Sequence, residues 1–514
     1  MIRRATTTLT VLPVLLLSLA LPRAATAQIS LAPIFQDRMV LQRDVPIRIW
    51  GNAPAGEMVQ FQLGNATMAV IADGDGKFDF YFPPTPAGGP HQLLANGTSG
   101  ALFLSDVLVG DVWLCSGQSN MEWQMRRFDA LAPTIAAAND PRVRFVTVAR
   151  NVAGAPQSKF AGAWQSATPD TVRDLSCVAY HFAAELRRRE NVPIGLIVAA
   201  VGGTPAEAWT RRGALAASPA LQPIVERWDS TLANHGTALA AHETALAAWQ
   251  KAVEAAKADG KTPPRQPAAP PGPDHPHRAS GLFDGMIAPL VPTTIRGVIW
   301  YQGESNASRA EQYRTLFPTL IRDWRDAFGQ GDLPFLFVQL ANFAAGPRRH
   351  EWAELREAQR EALTLPRTGM AVAIDLGESA DIHPGRKDEV GRRLALLARR
   401  IAHGDAVAAT GPVYAGCRIE QDRVRLYFTT TSGLVARGGK LTGFVVAGAD
   451  RRFVPANAVL DGDTVVVSGA GVLEPRAVRY AWDCDPPVSL FDGEGLPASP
   501  FRTDDWPFAT AGVR

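Results

Sequence analysis

At 514 residues the chain exceeds what one hydrophobic core organises, so two or three domains are expected. Its 46% hydrophobic and 20% charged content is that of a soluble globular protein. The formal net charge of +2 comes with no basic stripe to argue for nucleic acid and no acidic tail to argue for a solvating segment.

The first 27 residues read as a secretory signal peptide. Arg3 and Arg4 begin it, Leu9 to Leu21 form a short apolar core, and Ala25-Thr26-Ala27 is a small-residue cleavage site. The mature chain is then expected to begin near Gln28, in the periplasm or secreted. No later stretch is apolar and long enough to span a bilayer, so no membrane association is expected after its removal. Export permits disulfides. Cys417 and Cys484 share a C-terminal β-rich segment and are candidates to pair, whereas Cys115 and Cys177 read as buried thiols. There is no Cys-x-x-Cys, and the nine histidines lack metal-ligand spacing, so no metal or cofactor is expected.

Residues 28–105 alternate apolar and polar side chains between Asn, Pro and Gly turns, as in "MVLQRDVPIRIWGNAPAGEMVQFQLG", which predicts a small β-sandwich. From about 106 to 410 the pattern changes. Continuous apolar runs ("DVLVGDVWLC", "PIGLIVAAVGG", "IRGVIWYQGE", "LPFLFVQLANF", "GMAVAIDLGE") alternate with helical segments. Such runs fit a parallel sheet covered by helices on both faces, a three-layer α/β domain. An Ala-rich helical stretch and a Pro-rich tether at 214–277 interrupt it and read as an insertion, either decoration or a wall of the site. Strand patterns return at 411–514 as a C-terminal β-rich domain.

Ligands of an open parallel sheet bind beyond the carboxyl ends of its strands. The residues just after each apolar run are therefore the candidates. They are Gln118-Ser119-Asn120, Gly202-Gly203-Thr204, Gln302-Gly303-Glu304-Ser305-Asn306, and Asp381 with His383 and Pro384. Together they hold a hydroxyl, glycine amides, a carboxamide and an imidazole near carboxylates, which is the inventory of acyl transfer. Ser119 would be the nucleophile and His383 its base. Backbone N–H groups of Ser119 and Gly203, with the Gln302 side-chain amide, would stabilise the oxyanion.

The blocks "GDVWLCSGQSNMEW", "PIGLIVAAVGGTPAEAW", "GMIAPLVPTTIRGVIWYQGESNA" and "DIHPGRKDEVGRRLA" resemble the sialate O-acetylesterase family, within the SGNH-hydrolase superfamily. The resemblance runs from about 105 to 400. It implies Ser119 as nucleophile, His383 as base and Gly203 as backbone donor, with Gln302 where the superfamily has an asparagine. Glu304 would hold the pocket or form an ordinary ion pair. The superfamily acid lies three residues before the histidine, where this chain has Ala380. Asp381, two before, is the leading candidate, with Asp375, Glu378 or a backbone carbonyl as alternatives.

The resemblance implies an exported serine esterase that removes acetate from O-acetylated carbohydrate, in the manner of a sialate 9-O-acetylesterase. An acetyl xylan or xyloglucan esterase of the same fold is the alternative within the class. A non-catalytic carbohydrate-binding protein is the rival outside it, and a lipase or thioesterase would want an acyl groove that is not evident. Trp123, Trp209 and Trp300 read as core packing, with sugar stacking as the alternative for Trp123 or Trp209. His181 reads as helix-flank packing, His275 and His277 as solvated tether residues, and Arg356 and Gln359 as surface.

Overall fold

The computed structural model describes residues 28–344, 349–430 and 432–514 of a mixed α/β protein. The expected signal peptide lies outside the described residues. Among them, no helix is long and apolar enough to cross a membrane.

The organising element is one long strand, Gly100–Gly117. Its first half alternates partly exposed residues and pairs antiparallel with Gly88–Gly97. From Val107 onward every residue is buried, and the partners are parallel strands on both sides. That switch from half-buried to fully buried is what a strand shows when it leaves an antiparallel sheet with one wet face and enters a sheet covered on both. Position 106 thus falls inside a continuous strand, and the N-terminal β segment and the central sheet share one hydrophobic core.

The N-terminal strands form two groups. Ile47–Asn52 pairs with Lys77–Phe82, and Met58–Leu63 pairs with Ala66–Ile71 and Gly88–Gly97. Phe61 of one group meets Phe78 and Phe80 of the other at 5.1 and 4.6 Å between ring centroids. Strict alternation of buried and exposed residues along Met58–Leu63 and Lys77–Phe82 supplies those inward rings.

In the central sheet the strands run in the order Gln165–Ala167, Asp140–Thr147, Ile194–Ala200, Gly100–Gly117, Gly297–Tyr301, Phe335–Gln339, Thr368–Val372. Every pairing is parallel except that of the short Gln165–Ala167 edge. Gly117 lies in register with both Ala200 and Tyr301, so three strands end level. The segments after them, beginning at Ser119, Gly202 and Gln302, therefore emerge along one edge.

The inserted stretch is divided in its burial. Helix Gln222–Ala233 sinks Ile224, Val225 and Trp228 into the main core. Helix His235–Ala258 buries no residue and is tied to the Pro-rich tether by Trp249 Nε1 donating to the Pro264 carbonyl at 2.8 Å.

The C-terminal segment has its own core, with Leu426, Val446, Val467, Tyr480 and Phe501 inside a seven-stranded antiparallel sheet. Arg356 clamps it to the central domain. This fully buried guanidinium donates to the carbonyls of Leu340 and Ala341 on one side and of Asp483 and Cys484 on the other. Its neighbour Gln359 is equally buried, bridging Leu340, Val338 and Gln302. The expectation of a surface position for both is thus corrected. They share one helical face with Trp352 and Leu355, and that face points inward.

The Cys417–Cys484 disulfide does not form. Cys417 is exposed on strand Val413–Glu420, whereas Cys484 is buried against the main core, where its carbonyl receives Arg356 and the Phe343 amide. Cys115 and Cys177 are buried thiols, and desolvation raises both, Cys177 to about 12.

Candidate active site

The strand Gly100–Gly117 ends against a neighbour's backbone. Gly117 has φ +139°, and a Cβ there would stand 2.1 Å from the Tyr301 carbonyl oxygen, so only glycine fits. The Gln118 amide donates to that same carbonyl at 3.0 Å. The chain then turns at once into the short helix Ser119–Glu122. This puts Ser119 at the first position beyond the sheet edge.

His383 comes from the far side of the sheet, in the loop after Thr368–Val372. Its Nε2 lies 2.9 Å from Ser119 Oγ, across 264 residues of sequence. The loop is held from within: Glu378 accepts the Asp381 amide on its carbonyl and the Gly385 amide on its carboxylate at 2.8 Å. Asn120, beside the serine, donates its Nδ2 to the Ile382 carbonyl at 3.0 Å. Trp123 lies flat on the imidazole, ring centroids 3.9 Å apart and planes 17° apart. Burial pulls the His383 pKa below the ordinary imidazole value; the Lys387 ammonium and Arg127 push the same way, and Asp381 opposes them. That direction favours the neutral ring, the form a general base requires.

The candidate acids separate. Asp381 Oδ1 accepts the His383 backbone amide at 2.8 Å, but stands 3.7 Å from ring Nδ1, beyond a hydrogen bond. Asp375 is engaged by Arg393 through two bonds of 2.6 and 2.8 Å, and Glu378 by its own loop.

The turn Gly202-Gly203 abuts the serine: a Cβ on Gly202 would stand 3.3 Å from Ser119 Cβ. The Gly202 amide donates to Glu122 at 2.8 Å. Gly203 has φ +73° with open space where a side chain would be. Gln302 is bonded to the residue that follows this turn, Thr204. It is fully buried, its Nε2 donates to the Thr204 carbonyl and to Asn306 Oδ1, and its Oε1 accepts the Tyr313 hydroxyl. Both amide hydrogens are thus committed to Thr204 and Asn306 in this structure.

Behind the serine turn lies a polar cluster of which only part is evident from the strand ends. Asn120 Nδ2 also donates to Glu304 Oε1 at 2.5 Å, and Asn120 Oδ1 accepts from Lys387 Nζ. Glu304 is partly exposed as a residue, but its Oε2 is buried without a hydrogen-bond partner, and desolvation raises its pKa. Burial lowers the Lys387 pKa to about 8. Lys387 follows no apolar strand, because it opens the helix Lys387–Ala398. A signal was present, since it lies three, four and seven residues before Val390, Gly391 and Leu394, on the buried face.

Trp209 is buried edge-on to Trp300 and belongs to the core. His275 packs at 5.8 Å from Trp228 and His181 is largely enclosed, with Nε2 unpartnered. Of the arginines near the first blocks, Arg211 is bound to Asp323 and Arg126 to Asp174, while Arg127 lies over the Trp123 ring at 5.0 Å. Among the described residues no cluster of three or more His, Cys, Asp or Glu could hold a metal ion.

The family model for carbohydrate esterases described as sialic acid-specific acetylesterases matches residues 109–248 and 279–399, leaving out the end of the exposed helix and the Pro-rich tether. The chain is 30% identical over 445 residues to the sialate O-acetylesterase of Mus musculus, covering 76% of this chain and 77% of the relative. The Homo sapiens protein of that name is 30% identical over 443 residues, with 77% and 76% covered. Among solved structures, a carbohydrate acetylesterase from Xanthomonas citri is 37% identical with a TM-score of 0.80, covering 93% of this chain and all of that one.

Proposed function

The chain belongs to the sialic acid-specific acetylesterase family of carbohydrate esterases, and from that premise we propose that it is a serine carbohydrate O-acetylesterase. Hydrolysis of a carboxylic ester follows from the family. The finer reading rests above all on one observation, the 2.9 Å contact of His383 Nε2 with Ser119 Oγ at the carboxyl edge of the sheet. The fold of this reading is a three-layer SGNH-hydrolase-type domain between two β segments, and the parallel register of the central strands supports it. Export through the first 27 residues is part of the same proposal.

In this mechanism Ser119 Oγ attacks the acetyl carbonyl carbon as His383 Nε2 takes its proton. The oxyanion faces the backbone N–H groups of Ser119 and Gly203, each donor of this kind supplying on the order of 2.7–4 kcal/mol. Collapse breaks the bond to the sugar oxygen, which leaves with the proton from His383. Water then attacks acetyl-Ser119, gives its proton to His383, and releases acetate with the free serine.

The test is acetate release from a panel of O-acetylated sialic acid, acetylated xylan, acetylated xyloglucan and a lipid ester, with Ser119→Ala as control. Release from at least one carbohydrate, abolished in Ser119→Ala, is expected. Release from the lipid ester alone, or undiminished release by a folded Ser119→Ala, overturns the reading.

A further inference from the structure

The turn that carries the nucleophile also grips the base. Within five residues, Ser119 bonds the imidazole, Asn120 bonds the carbonyl before it, and Trp123 covers its face. A serine-activating imidazole has to be held with one nitrogen on the hydroxyl. In the Ser-His-Asp arrangement a buried carboxylate on the other nitrogen does this. Here the nearest candidate, Asp381, has a side chain 53% exposed and stands 3.7 Å from Nδ1. The contact that is close and extended is the stack on Trp123.

We propose that Trp123 is a positioning residue for His383, its indole fixing the plane of the imidazole from which the weakly placed acid leaves freedom to rotate. The inference rests on the serine-esterase reading and deepens it. The indole is itself anchored. Its backbone amide donates to the Ser119 carbonyl and its own carbonyl accepts the Cys177 amide, both at 2.9 Å. Phe128 packs at 5.9 Å and the Arg127 guanidinium lies over the ring at 5.0 Å. A π face against imidazole also favours the imidazolium that forms as the proton transfers. The stacked face is covered by His383, so on that side it is closed to a sugar ring.

The experiment compares kcat and KM of the full chain and of Trp123→Leu and Trp123→Phe with p-nitrophenyl acetate, whose leaving group needs no sugar platform. Trp123→Leu is expected to lower kcat about tenfold, the scale of one aromatic stacking contact, with KM changed by less than about twofold. Trp123→Phe, which keeps a ring face, is expected to recover most of the loss. Unchanged kcat in Trp123→Leu, a loss confined to KM, or a Phe variant as slow as the Leu variant each overturns the proposal.

A second readout needs no turnover and covers a Leu variant that fails to fold. Imidazolium quenches a stacked indole. The fluorescence difference between the unaltered chain and Trp123→Phe should therefore fall with acidification in the His383 range, and should not titrate when both are compared in a His383→Ala background. A difference that does not titrate in the unaltered chain overturns the stack as a feature of the working protein. Turnover by the unaltered chain that Ser119→Ala abolishes keeps the esterase reading intact whichever way Trp123 falls.

Discussion

The carboxylate of Asp381 sits 2.8 Å from the backbone nitrogen of His383 and 3.7 Å from its ring Nδ1. A side chain that accepts from the amide two residues on forms an Asx-turn, and this is what a spacing of two residues favours. Asp381 therefore shapes the turn first and acts on the imidazole through its charge. Replacing a buried, hydrogen-bonded triad acid by its amide can cost about 10⁴ in kcat. Asp381→Asn keeps the Asx-turn acceptor and loses only an exposed, longer-range charge. We expect a loss of about ten- to a hundredfold, read as kcat at saturating acetyl ester. A loss of 10⁴ would assign Asp381 the full role of a triad acid in the working enzyme.

Asp375 and Glu378 separate by a different measurement. Asp375 and Arg393 form an ion pair almost without solvent contact, side chains 10% and 4% exposed. Removing one partner of a buried pair destabilises by about 3–5 kcal/mol. Asp375→Asn should thus lower the denaturation midpoint while the folded fraction keeps near-normal kcat. Glu378→Gln retains an acceptor for the Gly385 amide and should do little to either. A catalytic defect in Asp375→Asn at unaltered stability would contradict the assignment.

What could be read ahead of the structure divides along physical lines. Continuous apolar runs such as "PIGLIVAAV" and "GVIWY" locate buried strands, and a strand located is a strand end located. That is why Ser119, Gly203 and Gln302 are found together by scanning for polar residues after such runs. Direction is another matter. Whether a strand-end carboxamide faces the site or the layer behind depends on partners elsewhere, and for Gln302 these are Thr204, Asn306 and Tyr313. Arg356 and Gln359 show the same limit, because polar residues on an amphipathic helix read as solvent-facing until loop carbonyls are found waiting for them. The stack of Trp123 on His383 joins residues 260 positions apart, and no local pattern encodes it. Lys387 was within reach, by helical periodicity alone.

The pH dependence follows from the same surroundings. In the proposed mechanism His383 must be neutral to accept the serine proton, so kcat/KM is expected to fall as pH drops through its pKa. Burial first, then Lys387 and Arg127, hold that pKa below the ordinary imidazole value. The acid limb is therefore expected below pH of about 6.5, the unperturbed value. Lys387→Gln removes a cation while keeping a donor for Asn120, so the limb should move upward. Asp381→Asn removes the anion that opposes the depression, so its limb should move downward. Profiles of kcat/KM against pH for the three proteins check both signs, and shifts in the same direction would contradict the electrostatic account.

The last prediction concerns Gln302, where residue type and geometry disagree about role. An oxyanion donor removed by mutation costs about 10²–10³ in kcat and leaves the fold untouched. Gln302 is fully buried with both amide hydrogens committed to Thr204 and Asn306 and its oxygen to Tyr313. Gln302→Ala would strip partners from the Asn306 and Tyr313 side chains and from the Thr204 carbonyl, and leave a cavity. Each buried polar group left unsatisfied costs about 1–3 kcal/mol. The expected phenotype is a strong loss of stability, with kcat per folded molecule within about tenfold of the unaltered chain, since the proposed mechanism meets the developing charge with backbone donors. Paired measurements of the denaturant midpoint and of kcat at low temperature, where the variant is folded, separate the two roles. A stable Gln302→Ala with kcat reduced several hundredfold would return Gln302 to the oxyanion hole. It would also mean that the carboxamide leaves its Asn306 bond when substrate binds.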